Sequence, residues 1–278
     1  MKIKNRVVHS AMYILLSVYS IISLYPLVWM LFNSFKNNDE IFSTNPLGIP
    51  KIWRVDNYIR AWNTFNIPLY LVNSIIVTVC TAVLTIIIGV MFSYATARMK
   101  WRLSNAARIY ISVGMFIPVQ VILIPTVMLM KNAHLSGSYF TLIIPYVAFQ
   151  LGFASIVFYG FFRSIPYSLE EAAAIDGANI YTTFFKIILP LVKPAISTMI
   201  LFISLNIWNE FPVALVMVNK EALKTLPLGL IGFKGQFGSD FGGMGAALVI
   251  ASIPTILLYL LFADEVEKAL TVGSAVKG

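Results

Sequence analysis

Six strongly apolar stretches, five of them without any charged residue, constrain this chain more than any other feature of its sequence. A helix of about 20 apolar residues crosses the roughly 30 Å hydrocarbon core of a bilayer and satisfies its own backbone polar groups there. The sequence therefore predicts an all-α polytopic membrane protein with six transmembrane helices. The predicted spans cover residues 12–33, 70–95, 109–129, 139–162, 195–218 and 244–262.

Composition agrees with a membrane protein, since 59% of the 278 residues are hydrophobic and only 12% are charged, against about 25% charged in soluble domains. The net charge of +8 is spread over many loops, which favours membrane anchoring over binding of nucleic acid. The basic start followed by an apolar run resembles a secretory signal. That run is longer than a signal core and has no small-residue cleavage site, so we expect it to stay as the first span.

The distribution of lysine and arginine predicts the orientation, because basic residues concentrate in short cytosolic loops. With six spans both termini lie on one side of the membrane. That side would hold 12 of the 20 basic residues, and the longer loops of the other side would hold 8. The first set is Lys2, Lys4, Arg6, Arg98, Lys100, Arg102, Arg108, Arg163, Lys186, Lys193, Lys268 and Lys277. Both termini and the loop between the fourth and fifth spans are therefore predicted to be cytosolic.

A polar, helix-forming segment at residues 168–178 lies in that cytosolic loop. Ser168 and Glu171, three residues apart, match a capping box, and the three alanines that follow are strong helix formers. Gly177 is a typical C-terminal stop signal. The pattern predicts one short helix of about two turns.

The surface of this helix suits contact with a soluble partner. The small side chains of Ala172 and Ala173 allow another protein to approach the backbone closely, and Glu170, Glu171 and Asp176 offer charges. Because the capping box would occupy Glu171, Glu170 or Asp176 could instead be the charge that meets the partner. A plain surface helix that joins two spans is the alternative.

One carboxylate, Glu210, lies inside an apolar run, where exposure to lipid would cost roughly a few kcal/mol. We expect it to face a cavity or a partner, and the candidate residues of a translocation pathway are Gln120, Asn206, Asn209 and Glu210. The alternative is an interfacial position where Glu210 bonds to Asn209 and water. In the third and fourth spans, Gln120 and several prolines predict kinked helices with freed carbonyl groups; the prolines are Pro118, Pro125 and Pro145.

Several kinds of chemical site are excluded or disfavoured. The glycines at 229–235 lack the lysine and hydroxyl spacing of a phosphate-binding loop, so the chain is not expected to bind ATP. His9 and His134 lie on opposite predicted faces, which argues against a metal site. The 229–245 stretch is predicted to be a flexible external loop. Cys80 lies within a span and is interpreted as a packing residue.

The sequence around the predicted helix resembles the coupling loop of ABC importer permeases. The resemblance rests on Glu171-Ala172-Ala173, on Gly177 six residues after the glutamate, on Phe184 and on Pro190-Leu191. Further blocks are similar to the smaller, G-type permease of the maltose-type carbohydrate importers. They are NYIRAW at 57–62, SYATARM at 93–99, FFRSIP at 161–166, WNEF at 208–211 and AVKG at 275–278.

The resemblance implies one transmembrane permease domain over residues 1–278 with a cytosolic coupling loop at 164–194. In this family the loop forms two short helices that dock on a cytosolic ATPase. Here Ile180, Phe184 and Ile188 would share the face of the second helix that packs on the spans, and prolines would end that helix.

The resemblance also implies the partners. These are a second permease subunit, two ATPase subunits that use ATP and magnesium, an external sugar-binding protein and the lipid bilayer of a prokaryotic cell. The loop at 224–243 resembles the loop that reaches toward the binding protein, which makes Phe233, Gln236 and Phe237 candidate contacts. The chain itself is expected to be neither an enzyme nor a cofactor-binding protein.

Another class of function remains open from the residues alone. An ion-coupled secondary transporter usually buries several ionisable residues within its spans and often contains inverted repeats. Here Glu210 is the one carboxylate in an apolar run, and the two halves of the sequence share no obvious pattern. A membrane scaffold without transport activity would leave the cytosolic helix unexplained. The residues alone indicate a polytopic membrane protein with a soluble partner, and the resemblance implies that it is part of an ATP-driven importer of an unidentified sugar.

Overall fold

The computed structural model describes the backbone of residues 2–235 and 238–275, and the side chains of residues 9–233 and 239–262. Four of the described helices are long and apolar enough to cross a membrane. The number rises to six if each of two bent helix pairs forms one span. Six spans were predicted, and the apolar runs that predicted them are mainly helical.

The helices are numbered in chain order. They are α1 (Lys2–Asn33), α2 (Asp56–Thr64), α3 (Ile67–Arg98), α4 (Ser104–Gly114), α5 (Val119–Asn132), α6 (Phe140–Ser164), α7 (Ser168–Ile175), α8 (Ile180–Thr182), α9 (Leu189–Leu191), α10 (Lys193–Trp208), α11 (Pro212–Met217), α12 (Leu226–Gly229) and α13 (Phe241–Ala275). Two π-helical segments, Glu40–Thr44 and Thr183–Ile188, and two 3-10 turns, Glu221–Leu223 and Leu230–Phe233, lie between them. Strands β1 (Lys234–Gly235) and β2 (Gly238–Ser239) form a short antiparallel ladder that the all-helical prediction did not include.

Two predicted spans are broken rather than continuous. The third consists of α4 and α5, which meet at an angle of 103°, where a kinked single helix was expected. Pro118 explains the break, because it holds an extended backbone at the start of α5 and cannot continue a helix. The fifth was expected to run to residue 218, but α10 ends at Trp208 and α11 starts at Pro212. Proline lacks the backbone N–H that a continuous helix would need there.

The chain forms two compact units, and the first comprises residues 1–68 and 229–254. In this unit the buried amide of Asn57 donates to the carbonyl oxygens of Ser34, at 2.8 Å, and Lys36, at 2.9 Å. The Lys36 side chain is also buried and donates to the carbonyl of Asn45 at 2.7 Å. These bonds satisfy backbone groups that follow the end of α1 and fix the path of the next segment.

The glycine-rich 229–245 stretch is partly ordered by packing within the first unit. The ring of Phe233 stacks on Phe65 with centroids 3.9 Å apart. A side chain at Gly242 would place its Cβ 2.3 Å from the carbonyl oxygen of Lys36, so only glycine fits this close approach. Arg60 and Asp240 form an ion pair at 3.1 Å. The described part of the stretch is therefore more structured than the flexible loop that its composition predicts.

The second unit comprises residues 69–228 and 255–278, with an apolar core built mainly on α3, α6 and α10. Phe158 and Phe162 of α6 and Met199 and Ile203 of α10 are fully buried. Both helices read as continuous apolar runs because their neighbours in the bundle, and lipid on the outer face, are equally apolar. The same unit carries the 164–194 loop and the residues around Glu210, which are the two candidate sites.

Candidate functional site

The short helix predicted in the 164–194 loop is present as α7, but its start differs from the prediction. Tyr167 is the N-cap residue, and no side chain bonds to the free amides of the first turn. The predicted capping box of Ser168 and Glu171 is therefore wrong. Ser168 lies one position inside the helix, and the carbonyl of Tyr167 accepts from the amides of Glu170 and Glu171. The carboxylate of Glu171 is consequently exposed and unused as a cap.

The C-terminal end of α7 follows the prediction. Gly177 has a φ of +79°, the left-handed conformation that glycine adopts without strain. The amide of Gly177 donates to the carbonyl of Ala174, and the amide of Ala178 donates to the carbonyl of Ala173. This pair of hydrogen bonds is the Schellman motif. Gly177 therefore turns the chain sharply, and the space around it is open, since a Cβ there would meet nothing within 4 Å.

The predicted coupling residues differ in exposure. Glu171, Ala172, Asp176 and Gly177 are exposed and form one accessible surface, whereas Ala173 is 4% exposed and packs inward. The Glu170 side chain is 18% exposed, and its carboxylate forms an ion pair with Arg98 at 3.1 Å. Glu170 is thus held within the chain.

The segment after Gly177 is helical, with a π-helical centre and a bend of 68° before α10. Asn179 caps its start, because its side chain accepts from the amide of Thr182 at 2.9 Å. Phe184 and Ile188 are buried, as expected for a face that packs on the bundle. Ile180 is 46% exposed, so its predicted place on that face is wrong. The π-helical turn explains this difference, since it changes the angular spacing along the segment.

Glu210 lies two residues before α11 and has three hydrogen-bond partners. Its carboxylate accepts from the amides of Val213, at 2.7 Å, and Ala214, at 3.1 Å, and from the hydroxyl of Tyr146. A carboxylate at a helix N-terminus is favourable because the free amides and the helix dipole both attract it. Asn209, its neighbour in sequence, is exposed and donates to the carbonyl of Leu205 instead.

Glu210 also borders a cavity of about 220 Å³ together with Gln120, Asn206 and Gln150. A larger cavity of about 640 Å³ shares Asn206, Gln150 and Phe149 with it. Amide side chains beside an aromatic ring can bind a polyhydroxylated ligand through hydrogen bonds and stacking. The structure thus brings Gln120, Asn206 and Glu210 together.

Sequence reasoning missed three residues around these sites. Gln150 and Tyr146 occupy a long apolar run whose polar members gave no pattern, and Arg98 looked like one of several basic residues in a short turn. An arginine that follows directly on a span was the available signal, since its long side chain can fold back toward the protein.

Of the loop residues proposed to contact a binding protein, Phe233 is among the described residues. Phe233 is 1% exposed because its ring packs on Phe65, so the ring is buried within the chain. Gln236 and Phe237 lie outside the described residues.

The nearby 219–226 segment is tied to α3. The side chain of Asn73 donates to the carbonyls of Ala222 and Lys224, both at 2.9 Å, and Glu221 accepts from Tyr70. Two hydrogen bonds hold the pKa of the Glu221 carboxyl below its ordinary value of 4.5; the one from Lys224 has the larger effect and the one from Tyr70 the smaller. Within the described residues no group of three or more histidine, cysteine or acidic side chains converges as a metal site would require.

The sequence matches a known protein family over most of its length. Residues 85–272 match the family model for the "binding-protein-dependent transport system inner membrane component". The chain is 34% identical over 269 residues to the "probable ABC transporter permease protein YurM" of Bacillus subtilis (strain 168), covering 97% of this chain and 89% of that protein. It is 33% identical over 262 residues to the "diacetylchitobiose uptake system permease protein NgcG" of Streptomyces coelicolor, covering 94% and 86%.

The fold has a close counterpart among solved structures. A chain from the crystal structure of a bacterial ABC transporter involved in the import of the acidic polysaccharide alginate superposes with a TM-score of 0.81, at 24% identity, covering 94% of this chain and 97% of that chain. The all-helical permease fold predicted from the sequence is confirmed by this likeness. The family match covers more than half of the chain, and the relatives and the fold agree with it. The chain therefore belongs to the binding-protein-dependent inner membrane components, the membrane-spanning permeases of ABC importers.

Proposed function

We propose that this permease forms half of the translocation pathway for a saccharide, and that α7 couples it to a cytosolic ATPase. The saccharide would be delivered by an external binding protein. The observation that carries the proposal is the pairing of an exposed, sharply terminated helix at 168–177 with an amide-lined cavity in the same compact unit. The relatives support the substrate class, since NgcG is named for diacetylchitobiose uptake.

The coupling role is supported by the surface of α7. Glu171 and Asp176 present their charges, and the open space around Gly177 leaves the backbone accessible to a groove in the partner. Charge-assisted hydrogen bonds to an ATPase cleft would be among the stronger contacts available to such a small helix. Glu171 is free for this role because it does not cap the helix. Glu170 would contribute indirectly, through its pair with Arg98.

The pathway role is supported by two neighbouring cavities that share lining residues; the polar side chains that line them are Gln120, Asn206, Gln150 and Glu210, beside the ring of Phe149. Hydrogen-bonding side chains of this kind replace water around the hydroxyl groups of a sugar. The charge of Glu210 would remain compensated during transport by the two helix amides that it accepts from. Asn209 would lie at the edge of the pathway.

The partners in this proposal are a second permease, two ATPase subunits and a sugar-binding protein. None of the most apolar part of α1 is buried within the described chain, which leaves it free to contact lipid and the second permease. ATP and magnesium would be used only by the ATPase subunits. Both termini and α7 would face the cytosol of a prokaryotic cell, as the 12 to 8 distribution of basic residues favours.

The proposal can be tested with the purified four-subunit assembly in nanodiscs and its binding protein. A panel of mono- and oligosaccharides is added, and ATP hydrolysis is measured for each. We expect one saccharide class to stimulate hydrolysis in a binding-protein-dependent manner. A Glu171→Gln variant should bind the ATPase subunits more weakly, whereas Asp39→Asn, which alters an exposed carboxylate of the first unit, is the control. Stimulation by an amino acid or a metal ion, and by no saccharide, would overturn the substrate class.

A further inference from the structure

The side chain of Arg98, the last residue of α3, is almost completely buried, with 1% of it exposed. Its Nε and Nη2 reach the same carboxylate oxygen of Glu170, both at 3.1 Å. Nη1 donates to the carbonyls of Phe162, at 3.1 Å, and Ile165, at 2.8 Å, and Nη2 also donates to Pro166, at 3.3 Å. A buried guanidinium is tolerated only when it is paired and hydrogen-bonded, and Arg98 meets both conditions.

These partners belong to different elements of the second unit. The carbonyls of Phe162, Ile165 and Pro166 lie at and just beyond the end of α6, where a helix leaves acceptors unsatisfied and its dipole attracts a cation. Glu170 lies in the first turn of α7. A single guanidinium therefore joins the end of α3, the end of α6 and the start of the proposed coupling helix.

Tyr167 reinforces the same junction. The Arg98 guanidinium lies over the Tyr167 ring, 3.8 Å from its centroid. The Tyr167 hydroxyl donates to the carbonyl of Ala97 at 3.0 Å. The N-cap residue of α7 is thus tied to the last turn of α3 by stacking and by a hydrogen bond.

Apolar packing contributes little to this junction. Ala173 is the one buried side chain of α7. A cavity of about 440 Å³, bordered by Tyr94, Arg98, Glu170 and Thr183, lies between the end of α3 and the loop. Because this space separates them, little apolar packing joins α7 itself to α3. Tyr94 of α3 packs instead on Phe184 of the following segment, with ring centroids 4.7 Å apart. The direct links between α7 and α3 are therefore the polar contacts of Arg98 and Tyr167.

We propose that Arg98 is a positioning residue that transmits displacement of α7 to α3 and α6. This inference rests on the proposed function, because it concerns how a movement imposed by the ATPase on α7 reaches the spans. The fork geometry of arginine is required, since one ammonium group cannot bond a carboxylate and three carbonyls together. Loss of Arg98 therefore separates ATP hydrolysis from transport while the ATPase can still dock on the exposed face of α7.

The test compares Arg98→Gln, Arg98→Lys and Arg102→Gln in the four-subunit assembly. Arg102 is exposed in the adjacent turn, so its variant removes a nearby positive charge without touching the junction. We measure co-purification of the ATPase, ATP hydrolysis and saccharide uptake in proteoliposomes. Arg98→Gln should retain the ATPase but import at least about tenfold less saccharide per ATP, Arg98→Lys should be intermediate, and Arg102→Gln should match the parent. A parent-like ratio for Arg98→Gln would overturn the inference.

A second measurement does not depend on the transported substrate. Spin labels at Ile175 of α7 and Met91 of α3, both exposed, report the distance between the two helices in a Cys80→Ala background. Arg98→Gln should broaden the distance distribution, and an unchanged distribution would contradict the junction. If Arg98→Gln fails to insert, Glu170→Gln takes its place with the same expectations and the same refuting result. If the parent imports no saccharide with ATP, the proposed function fails, while the distance measurement still decides the role of Arg98.

Discussion

Replacement of Gly177 by valine tests the turn that ends α7. The residue has a φ of +79°, which costs a non-glycine residue about 1–2 kcal/mol and is especially unfavourable for a β-branched one. Beyond its chain neighbours, no atom lies within 4 Å of the added Cβ, so no clash at that atom adds to this cost. The effect in the isolated permease is therefore backbone strain alone.

That strain should appear as weaker binding of the ATPase. The exposed loop of the free variant can relax to another backbone conformation, and docking must restore the left-handed turn. A cost of 1–2 kcal/mol then corresponds to roughly a 5- to 30-fold loss of affinity. A side chain that also clashes with the partner's groove would increase the loss. Gly177→Asn should lose less, because asparagine tolerates this conformation.

The assay is a titration of the nanodisc-embedded permease pair with labelled ATPase subunits. Gly160→Val is the matched control, because Gly160 also has no atom within 4 Å of an added Cβ but lies in the regular helix α6. We expect parent-like affinity for the control. If Gly177→Val binds within about twofold of the parent and transports normally, the turn has no role in coupling.

Three further predictions concern other parts of the chain. Glu210→Leu should lower the transport rate and the melting temperature more than Glu210→Gln. The leucine leaves two amides and a hydroxyl without a hydrogen-bond partner, which costs about 1–3 kcal/mol of stability. Equal values for both variants and the parent would remove Glu210 from the site. The lowered pKa of Glu221 means that its stabilising contribution is present above pH 4.5 and is lost as the pH falls below it. The melting temperature should therefore fall more steeply with decreasing pH in the parent than in Glu221→Gln, and parallel curves of melting temperature against pH would contradict this. Cysteines at Ser168 and Lys224 should react with an impermeant maleimide from opposite sides of the membrane, and labelling of both from outside would refute the six-span topology.

Much of the fold follows from the sequence, because long uncharged apolar runs permit few alternatives in a bilayer. The breaks at Pro118 and Pro212 were harder to predict. A proline within a span is compatible with a kink, as Pro125 inside α5 and Pro145 inside α6 show, or with a complete break. Tertiary packing decides between the two outcomes, and packing is not encoded in the local pattern.

The candidate site was predictable where the backbone itself determines the structure. Gly177 is an example, since a glycine after a helix-forming run specifies a left-handed turn. The distant partners of Glu170 and Glu210 were not predictable, because Arg98 and Tyr146 are 72 and 64 residues away in sequence. Their pairing depends on how α3, α6 and α10 pack, and one sequence contains no direct record of such contacts.

The central claim is that this permease serves saccharide import driven by ATP hydrolysis. The most direct measurement is uptake of a radiolabelled saccharide into proteoliposomes that contain both permeases and the ATPase, with the binding protein outside and ATP inside. We predict accumulation that requires ATP, magnesium and the binding protein and that is indifferent to proton and sodium gradients. Accumulation driven by an ion gradient in the absence of ATP would instead identify an ion-coupled secondary transporter and contradict the account.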